Sequence, residues 1–329
     1  MRAAVVSEPG GPEVFRIQDI PDPKPGPEDA LVEVRATALN RADLMQRRGR
    51  YPAPPGIAQD VPGLEMAGVV LEVGERATSV APGQRAFALL AGGGYAERVV
   101  IHERMLMPIP EGMSFEDAAS VPEVFITAYD ALFNQAQLQM GEAVLVHAAG
   151  SGVGTAAIQL AHQVGATVFA TAGSAEKLAR AAELGLDVGI NYQEEDFAEV
   201  VRDRTEGRGV DAVLDVVGAP YWERNLASMA VMGRMVLVGA LGGGRLETNL
   251  GLLSPKRLRV QGTVLRARTL EEKLALTRQM ERHVLPLLAS GRLRAVVDRV
   301  FPLEEVSQAH EYMEANRNFG KIVLSMGGG

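Results

Sequence analysis

The chain contains 329 residues, of which 47% are hydrophobic and 22% are charged, and its formal net charge is −8. These values are typical of a globular protein, and the length predicts two domains. The acidic balance disfavours a nucleic-acid or anionic-membrane surface, because both attract basic proteins. The chain has no cysteine, which excludes disulfides, a thiolate nucleophile and a Cys-ligated zinc site.

No targeting or metal-binding pattern stands out in the sequence. No secretory signal pattern opens the chain, and no apolar run approaches the roughly 20 residues that span a bilayer. The five histidines are scattered, without a pair at helical ligand spacing, so we expect packing or surface roles for them. The sequence therefore predicts a cytoplasmic enzyme with no bound metal and no nucleic-acid or membrane partner.

The first third of the chain is rich in strand patterns punctuated by proline and glycine. Short apolar or alternating runs at 3–6, 30–36 and 67–74 predict strands between turn clusters. Helices and strands do not alternate in this region. We therefore predict a compact β-rich substrate domain over residues 1–123.

From Ser114 onward the pattern changes to alternating helices and strands. Ser114, followed by Asp117, predicts a capped helix start. Further strands are predicted at 144–146, 167–172, 188–192, 210–217, 233–239 and 258–262. This alternation predicts an α/β fold, with a doubly wound parallel sheet over residues 124–268.

The last segment, residues 269–329, is predicted to fold back onto the first domain. Its pattern indicates an amphipathic helix over 270–290, a short strand near 299–301 and a further helix that ends near Glu314. We expect a ligand-binding cleft between the two domains.

The segment from Val144 to Gly154 indicates the cofactor. An apolar strand ends in small residues and a helix pattern follows at once, which leaves backbone N–H groups and a helix dipole open to a phosphate. The match to the G-x-G-x-x-G consensus is incomplete. When Gly154 is aligned with the third glycine, Ala149 and Ser151 occupy the first two glycine positions. The strand at 167–172 completes a βαβ unit, which favours a dinucleotide site over a packing turn.

The end of that second strand indicates which nicotinamide cofactor binds. Proteins that bind NAD usually place an acidic residue there for the ribose hydroxyls. This chain has Gly173 and Ser174, followed by Glu176 and Lys177 within one helical turn. A hydroxyl and an ammonium group suit a 2′-phosphate, so the sequence favours NADPH. The alternative for Lys177 is a solvated helix residue, as most helix lysines are.

Several stretches resemble one family over essentially the full length of the chain. They are 38–44, 62–68, 147–154 and 316–324. The chain resembles the zinc-independent quinone oxidoreductases (zeta-crystallin-like) of the medium-chain dehydrogenase/reductase family. Residues 46–52 and 218–223 are similar to a subgroup of tumour-suppressor-inducible quinone reductases. The resemblance implies a Rossmann sheet beside a GroES-like β-rich domain.

The resemblance also bears on metal binding. Zinc-dependent relatives have a cysteine ligand at the position of Asn40 and a histidine at the position of Leu64. Both ligands are missing here, and Glu65 alone cannot hold a metal. Without a Lewis acid, alcohol oxidation is disfavoured, and reduction of an acceptor that takes hydride readily becomes the expected chemistry.

The resemblance assigns cofactor contacts in three groups. The nicotinamide and pyrophosphate contacts are Asn40, Tyr51, Thr127, Gly150, Ser151, Gly152, Val153 and Gly154. The contacts from the far side of the sheet are Val217, Gly239, Leu241, Val264, Leu265 and Arg266. The adenosine phosphate contacts are Ser174, Lys177 and Tyr192, with Arg317 and Asn318 nearby. The residues themselves support the glycine loop, Ser174 and Lys177 independently.

Tyr51, Asn40 and Asp43 are the candidate catalytic residues. The Tyr51 phenol could donate a hydrogen bond to the oxygen that gains charge as hydride arrives, or it could only cover the nicotinamide ribose. Asn40 and Asp43 are predicted to orient the ribose or a water. The alternative for Asp43 is a structural role at a helix start.

Three functions follow from these features. The first is NADPH-dependent reduction of a quinone, and the second is NADPH-dependent reduction of a 2-enoyl thioester or another enone, since such enzymes resemble the segment from Asn40 to Tyr51. The third is a non-catalytic, crystallin-like NADPH-binding protein. RNA binding within that third class is disfavoured by the acidic charge and by the absence of a basic stripe.

A homodimer, or a larger homo-oligomer, is expected from two apolar strand segments. Residues 235–238 and 259–264 resemble the sheet-edge elements through which members of the family pair. An unpaired apolar edge is an aggregation liability, so pairing with a second copy is the expected solution.

Overall fold

The computed structural model describes residues 1–327, and the chain divides into two compact units. The first unit contains Met1–Ile126 together with the chain from Leu265 onward, and the second contains Thr127–Val264. The sequence-based boundaries at 123/124 and 268/269 stay predictions about domains.

The N-terminal part of the first unit is β-rich, as predicted. Its elements are β1 (Arg2–Val6), β2 (Phe15–Asp19), β3 (Asp29–Ala38), α1 (Arg41–Arg47), β4 (Glu65–Val73), β5 (Arg85–Leu89), β6 (Arg98–His102), β7 (Met107–Pro108), α2 (Phe115–Ala119) and the start of α3 (Pro122–Tyr129). The predicted cap at the start of α2 is confirmed, because the Ser114 hydroxyl accepts the N–H of Asp117 at 3.0 Å.

The second unit alternates strands and helices. After the end of α3, its elements are β8 (Ala143–Val146), α4 (Gly152–Gln163), β9 (Thr167–Ala172), α5 (Ala175–Ala182), β10 (Val188–Asn191), α6 (Phe197–Arg204), β11 (Val210–Asp215), α7 (Trp222–Ser228), β12 (Met229–Leu237) and β13 (Arg259–Gly262). The strand order is β10-β9-β8-β11-β12-β13, and every pair is parallel. The predicted doubly wound parallel sheet is confirmed, and its order reverses between β8 and β11.

The C-terminal part of the first unit contains α8 (Leu270–His283), α9 (Leu285–Ala289), β14 (Val297–Pro302), α10 (Val306–Glu314) and β15 (Lys321–Ser325). The single helix predicted over 270–290 is wrong, because the chain leaves the helix at Val284. Pro286 explains the break: it has no N–H to donate to the carbonyl of Arg282, and its ring crowds that carbonyl.

The larger sheet of the first unit joins its two chain segments. The strand order is β14-β15-β3-β4-β5-β7, with β6 also paired to β3. In the antiparallel pair of β15 and β3, Val323 lies opposite Ala38 and Ser325 opposite Ala36. This register brings Lys321, the first residue of β15, beside the end of β3, where the Leu39 N–H donates to the carbonyl of Ile322 at 2.8 Å.

Each unit has its own apolar core. In the first unit, the alternating inward positions of β3, including Val32 and Val34, pack with residues of β15 such as Ile322 and Leu324. In the second unit, strand residues such as Leu145 and Val213 pack among the helices that cover the sheet. Burial of these apolar side chains is the main force that fixes each sheet.

The prediction of two sheet-edge segments is partly wrong. Residues 235–238 lie in and just after β12, which is bonded on both sides, to β11 and to β13. The reason is that β13 adds one more strand beyond β12, so the apolar run of β12 is an interior strand buried on both faces. Within residues 1–327, β13 is the strand at that edge of the sheet.

The turn between β8 and α4 depends on close packing at Gly154. A Cβ at this position would overlap the carbonyl oxygen of Ala148, whose own φ of 61° lies in the left-handed region. Gly154 thus lets the first turn of α4 lie directly against the loop backbone, which is the role of the third glycine in dinucleotide-binding turns.

We expect Gly154→Ala to lower the free energy of unfolding by about 1–3 kcal/mol, because the overlap is with backbone and outweighs the ~1 kcal/mol of helix propensity gained. Urea denaturation measures the change. Gly244→Ala is the matched control, since its added Cβ would make only an ordinary contact of 3.7 Å with Ala240. Equal stability of the two variants would contradict this view of the turn.

Candidate active site

The loop after β8 has the features of a phosphate-binding turn. Ser151 is the N-cap of α4, and its hydroxyl oxygen accepts the N–H of Gly154 at 2.9 Å. The N–H groups of Gly152 and Val153 lie in the first turn, where a helix offers them no acceptor. With the dipole of α4 behind them, these groups favour an anion at this position.

Most of the other predicted cofactor residues of the second unit also follow strand ends. Ser174 follows β9, Tyr192 follows β10, Val217 follows β11, Gly239 and Leu241 follow β12, and Val264 follows β13. Because the strands are parallel, their carboxyl ends meet at one edge of the sheet, which is where open α/β sheets bind ligands. Thr127 differs from the others, because it is a nearly buried residue of α3.

Ser174 and Lys177 form the start of α5. The Ser174 oxygen accepts the N–H of Lys177 at 3.3 Å as an N-cap, and the hydroxyl hydrogen can still be donated to a ligand. Gly173 lies against the hydroxyl of Tyr192, because a Cβ there would be only 2.7 Å from it. The half-exposed Tyr192 therefore lies beside Gly173, next to Ser174, and Lys177 lies in the first turn of the helix that Ser174 caps.

A buried network that the sequence analysis did not predict supports the end of β11. One Asp215 carboxylate oxygen accepts the N–H of Val217 at 2.6 Å, and the other accepts the Asn225 amide at 3.0 Å. The Asn225 oxygen therefore faces Nε2 of His147, at 2.7 Å, so this nitrogen carries the proton. Burial lowers the pKa of His147 to about 4, so the ring is neutral and structural, in agreement with the expected packing role.

In the first unit, Asn40 lies in a buried polar cluster with Glu65 and Lys321. The Lys321 Nζ donates to the Asn40 oxygen at 2.7 Å and to the carbonyl of Leu39 at 2.6 Å, and it lies 2.7 Å from a Glu65 oxygen. The Asn40 amide nitrogen donates to the same Glu65 oxygen at 2.8 Å. An ammonium group can only donate, so this contact fixes which way the Asn40 amide points.

Asp43 is buried and receives three hydrogen bonds. The N–H of Asn40 donates to it at 2.7 Å, the N–H of Gly63 at 3.2 Å and the Tyr95 hydroxyl at 3.1 Å. Burial raises the pKa of Asp43 to about 6 despite these donors. The helix-start role for Asp43 is confirmed, and its effect on the candidate site passes through the backbone of Asn40.

A directional chain of hydrogen bonds leads to Asp43. Arg47, which is completely buried, lies 3.1 Å from Nδ1 of His310, and since arginine only donates, that nitrogen accepts. His310 must then donate from Nε2 to the Tyr95 oxygen at 3.2 Å, and Tyr95 donates to Asp43. Burial and the charge of Arg47 hold the pKa of His310 well below its usual value.

Arg266 contacts both the ring of Tyr51 and the backbone around it. The guanidinium carbon lies 5.0 Å from the centre of the Tyr51 ring. The guanidinium nitrogens also donate to the carbonyls of Tyr51 and Ala91 and to the side chain of Gln46, at 3.1, 2.7 and 2.7 Å. Burial is the main cause of a raised pKa at the Tyr51 hydroxyl. Arg266, predicted as a cofactor contact, therefore fixes the loop that carries Tyr51.

The other predicted cofactor contacts of the first unit are Leu265, Arg317 and Asn318. Leu265 is buried and Arg317 is exposed. The Asn318 amide donates to the carbonyl of Gly320 at 2.8 Å, so it shapes the turn that leads into Lys321.

Sequence reasoning did not single out Glu123, Glu65 or Lys321 as a set. The Glu123 N–H donates to the second Glu65 oxygen at 2.8 Å, which ties the first turn of α3 to the cluster. Burial, with a further contribution from the charge of Glu65, raises the pKa of Glu123 to about 8. Pro122, just before it, marks a helix start in the sequence, but nothing there distinguishes Glu123 from an ordinary acidic residue in a first turn.

Comparison with known proteins identifies the family. The family described as alcohol dehydrogenase GroES-like domain matches residues 26–111, and the one described as zinc-binding dehydrogenase matches residues 152–281. A quinone oxidoreductase of Pseudomonas aeruginosa is 36% identical over 318 residues, which is 96% of this chain and 96% of that protein. The chain belongs to the zinc-independent quinone oxidoreductases of the medium-chain dehydrogenase/reductase family.

Solved structures agree with this assignment of the fold, a GroES-like domain with a Rossmann sheet. A protein described as an NAD-dependent alcohol dehydrogenase has a TM-score of 0.90 at 36% identity, covering 99% of this chain and 100% of that one. A mycobacterial protein in complex with NADPH has a TM-score of 0.88 at 30% identity, with coverage of 99% and 100%. The CurK enoyl reductase has a TM-score of 0.89 at 31% identity, with 99% of each chain covered.

One of these family descriptions names zinc, but the side chains of this protein at the positions of the zinc ligands are not suited to bind it. Leu64 offers no ligand, Asn40 offers a neutral amide, and Glu65 already binds the ammonium of Lys321. Over residues 1–327, no group of three or more histidine or acidic side chains is arranged to hold a metal ion. In the same part of the chain, no helix has the length and apolar character needed to cross a bilayer.

We expect Lys321→Met to lower the free energy of unfolding by about 3–5 kcal/mol, because it leaves the Glu65 carboxylate buried without its cation. Adding Glu65→Gln should recover part of this loss, since the second change removes the unpaired charge. Chemical denaturation of both variants measures the difference. Lys24→Met, at an exposed lysine, is the control; a Lys321→Met protein as stable as this control would contradict the importance of the ion pair.

Proposed function

We propose that this protein is an NADPH-dependent quinone reductase that transfers hydride from the nicotinamide to a quinone without a metal. The observation that carries the proposal is the pairing of Lys321 with Glu65 and Asn40, which leaves no ligand set for a Lewis acid. Stabilising an alkoxide without a metal is difficult, whereas a quinone accepts hydride readily once it is held against the donor. Similarity to a quinone oxidoreductase supports the same acceptor class.

In this proposal each part of the chain has a defined task, and NADPH supplies the hydride. The loop from Gly150 to Gly154 binds the pyrophosphate, and Ser174, Lys177 and Tyr192 bind the 2′-phosphate end. Asn40 and Tyr51 orient the nicotinamide and the acceptor, and Asp43 positions Asn40 through its backbone. The remaining proposed contacts are Thr127, Val217, Gly239, Leu241, Val264, Leu265, Arg266, Arg317 and Asn318.

Reduction of an enone is the second candidate. The observation that favours it is the similarity over the full chain to a protein described as an enoyl reductase. An enone and a quinone make the same demand on the protein, since both take hydride at carbon conjugated to a carbonyl and then need a proton.

Turnover with matched acceptors tests the proposal. Purified protein is mixed with NADPH and either 1,4-benzoquinone or crotonyl-coenzyme A, and the loss of NADPH absorbance is followed. Faster turnover with the quinone supports the first candidate, and faster turnover with the thioester supports the second. NADPH binding without turnover on either would favour a non-catalytic role, and absence of NADPH binding in a fluorescence titration would refute the proposal altogether.

Lys177→Ala tests the preference for NADPH. Loss of a charge-assisted hydrogen bond to the 2′-phosphate, worth about 1.5–3 kcal/mol, should raise KM for NADPH about tenfold or more and leave KM for NADH nearly unchanged. Steady-state kinetics with each cofactor measures the ratio, with Lys24→Ala as the control. An unchanged preference in Lys177→Ala would remove the argument for NADPH.

We also propose that the chain forms a homodimer through the edge at β13. This strand leaves one side of its backbone unpaired within residues 1–327, and apolar side chains nearby are exposed, including Val264 at 48% and Leu250 at 69%. Pairing of two such edges would satisfy the backbone and cover the apolar surface. Sedimentation that finds only monomer at micromolar concentration would refute this pairing.

A further inference from the structure

Glu123 is an acidic residue next to the buried cluster of Asn40, Glu65 and Lys321. Glu123 lies in the first turn of α3, and its N–H is held 2.8 Å from Glu65. The residue as a whole is half-buried, and within residues 1–327 neither of its carboxyl oxygens accepts a hydrogen bond from the protein. Glu123 is therefore an acid beside the Asn40–Glu65–Lys321 cluster whose carboxyl group is available to a ligand.

Charged groups from every side of the cluster act on this carboxyl. Glu65 on β4 and Asp43 on α1 favour its protonated form, and Lys321 on β15 and the Arg266 guanidinium oppose it. Lys273 on α8 also interacts with it, and so does the Tyr51 hydroxyl. Burial and the neighbouring carboxylates prevail, so that the pKa of Glu123 is raised to about 8 and the group holds a proton at neutral pH.

The other acidic groups near Asn40 are poorer sources of a proton. The Tyr51 hydroxyl has a pKa raised above the ordinary value for a phenol, mainly by burial, so it gives up a proton with difficulty at neutral pH. Asp43 is buried and receives its hydrogen bonds from Asn40, Gly63 and Tyr95. The chain behind Asp43 ends at Arg47, which does not release a proton.

We propose that Glu123 donates the proton that completes reduction of the acceptor, an inference that rests on the proposed reductase function. Bound NADPH would supply the hydride from its nicotinamide C–H bond, so that the acceptor would gain a hydrogen with its electron pair and be reduced as the cofactor is oxidised. The acceptor anion then takes a proton from the Glu123 carboxyl group, whose O–H bond breaks. Water restores the proton to the carboxylate. The same step serves a quinone, protonated on oxygen, and an enone, protonated on carbon.

The pH dependence of turnover tests this role. With saturating NADPH and quinone, kcat of the unmodified protein should fall above about pH 8, where Glu123 loses its proton. Glu123→Gln should lower kcat about 100-fold, within the range for loss of a general acid, and should abolish this alkaline decline. Glu123→Asp should restore part of the rate, and formate added to Glu123→Ala should restore part of it as well, which a purely structural residue would not allow.

Two controls separate proton donation from damage to the fold. Glu111→Gln, at an exposed glutamate of a surface turn, should keep the original rate and pH profile, and Glu123→Gln should bind NADPH as the unmodified protein does in a fluorescence titration.

The pH dependence of folding stability tests the protonation of Glu123 without a turnover assay. Because the proton leaves the unfolded chain near pH 4.5 and the folded chain near pH 8, folding stability should fall as pH rises through that window, and Glu123→Gln should lose this decline.

The outcomes distinguish the inference from the function on which it rests. If the unmodified protein oxidises NADPH with neither acceptor, the proposed function and the inference both fail. If it turns over and Glu123→Gln matches its rate and pH profile, only the inference fails. If Tyr51→Phe removes the alkaline decline and Glu123→Gln keeps it, the phenol is the proton donor and Glu123 is not.

Discussion

The ion pair between Lys321 and Glu65 is the interaction on which the candidate active site depends. It exists because β15 pairs antiparallel with β3 and delivers Lys321 to the point where β3 ends at Asn40. One ammonium group thereby fixes the Asn40 amide, balances a buried carboxylate and leaves Glu65 free to hold the first turn of α3 through its second oxygen. The rest of the site is organised around this contact.

Such a pair is costly to bury. Removing an ammonium and a carboxylate from water carries a desolvation penalty that their attraction often fails to exceed, and a well-packed apolar pair of the same size is commonly as stable or more stable. Apolar packing cannot orient an amide through a directional hydrogen bond, as Lys321 does for Asn40. The position of this pair beside Asn40 and Glu123 is therefore better explained by the chemistry of the site than by a need for stability.

Local patterns explain what could be predicted from the sequence. The parallel sheet follows from helix and strand periodicity, and the tight turn between β8 and α4 follows from the small residues there. Pro286 carried enough information to predict the break after α8, which the apolar pattern alone obscured. The interior position of β12 depended on a further strand, β13, that joins the sheet beyond it.

The polar cluster could not have been predicted in the same way, because its members are far apart in the chain. Asn40 and Lys321 are separated by 281 positions, and no short-range pattern links them. The raised pKa of Glu123 likewise arises from its folded surroundings. Resemblance to a family located Asn40 and Tyr51, but the partners that control them became evident only in three dimensions.

The pairing of the last strand with the third also has a consequence for biosynthesis. The ribosome must synthesise the chain beyond Lys321 before β15 can pair with β3, so Asn40 and Glu65 remain without their cation while the second unit emerges and folds. A nascent chain that stops before Lys321 would lack the ammonium altogether. Such a truncated protein would contain every strand of the parallel sheet, but its polar cluster around Asn40 would never form.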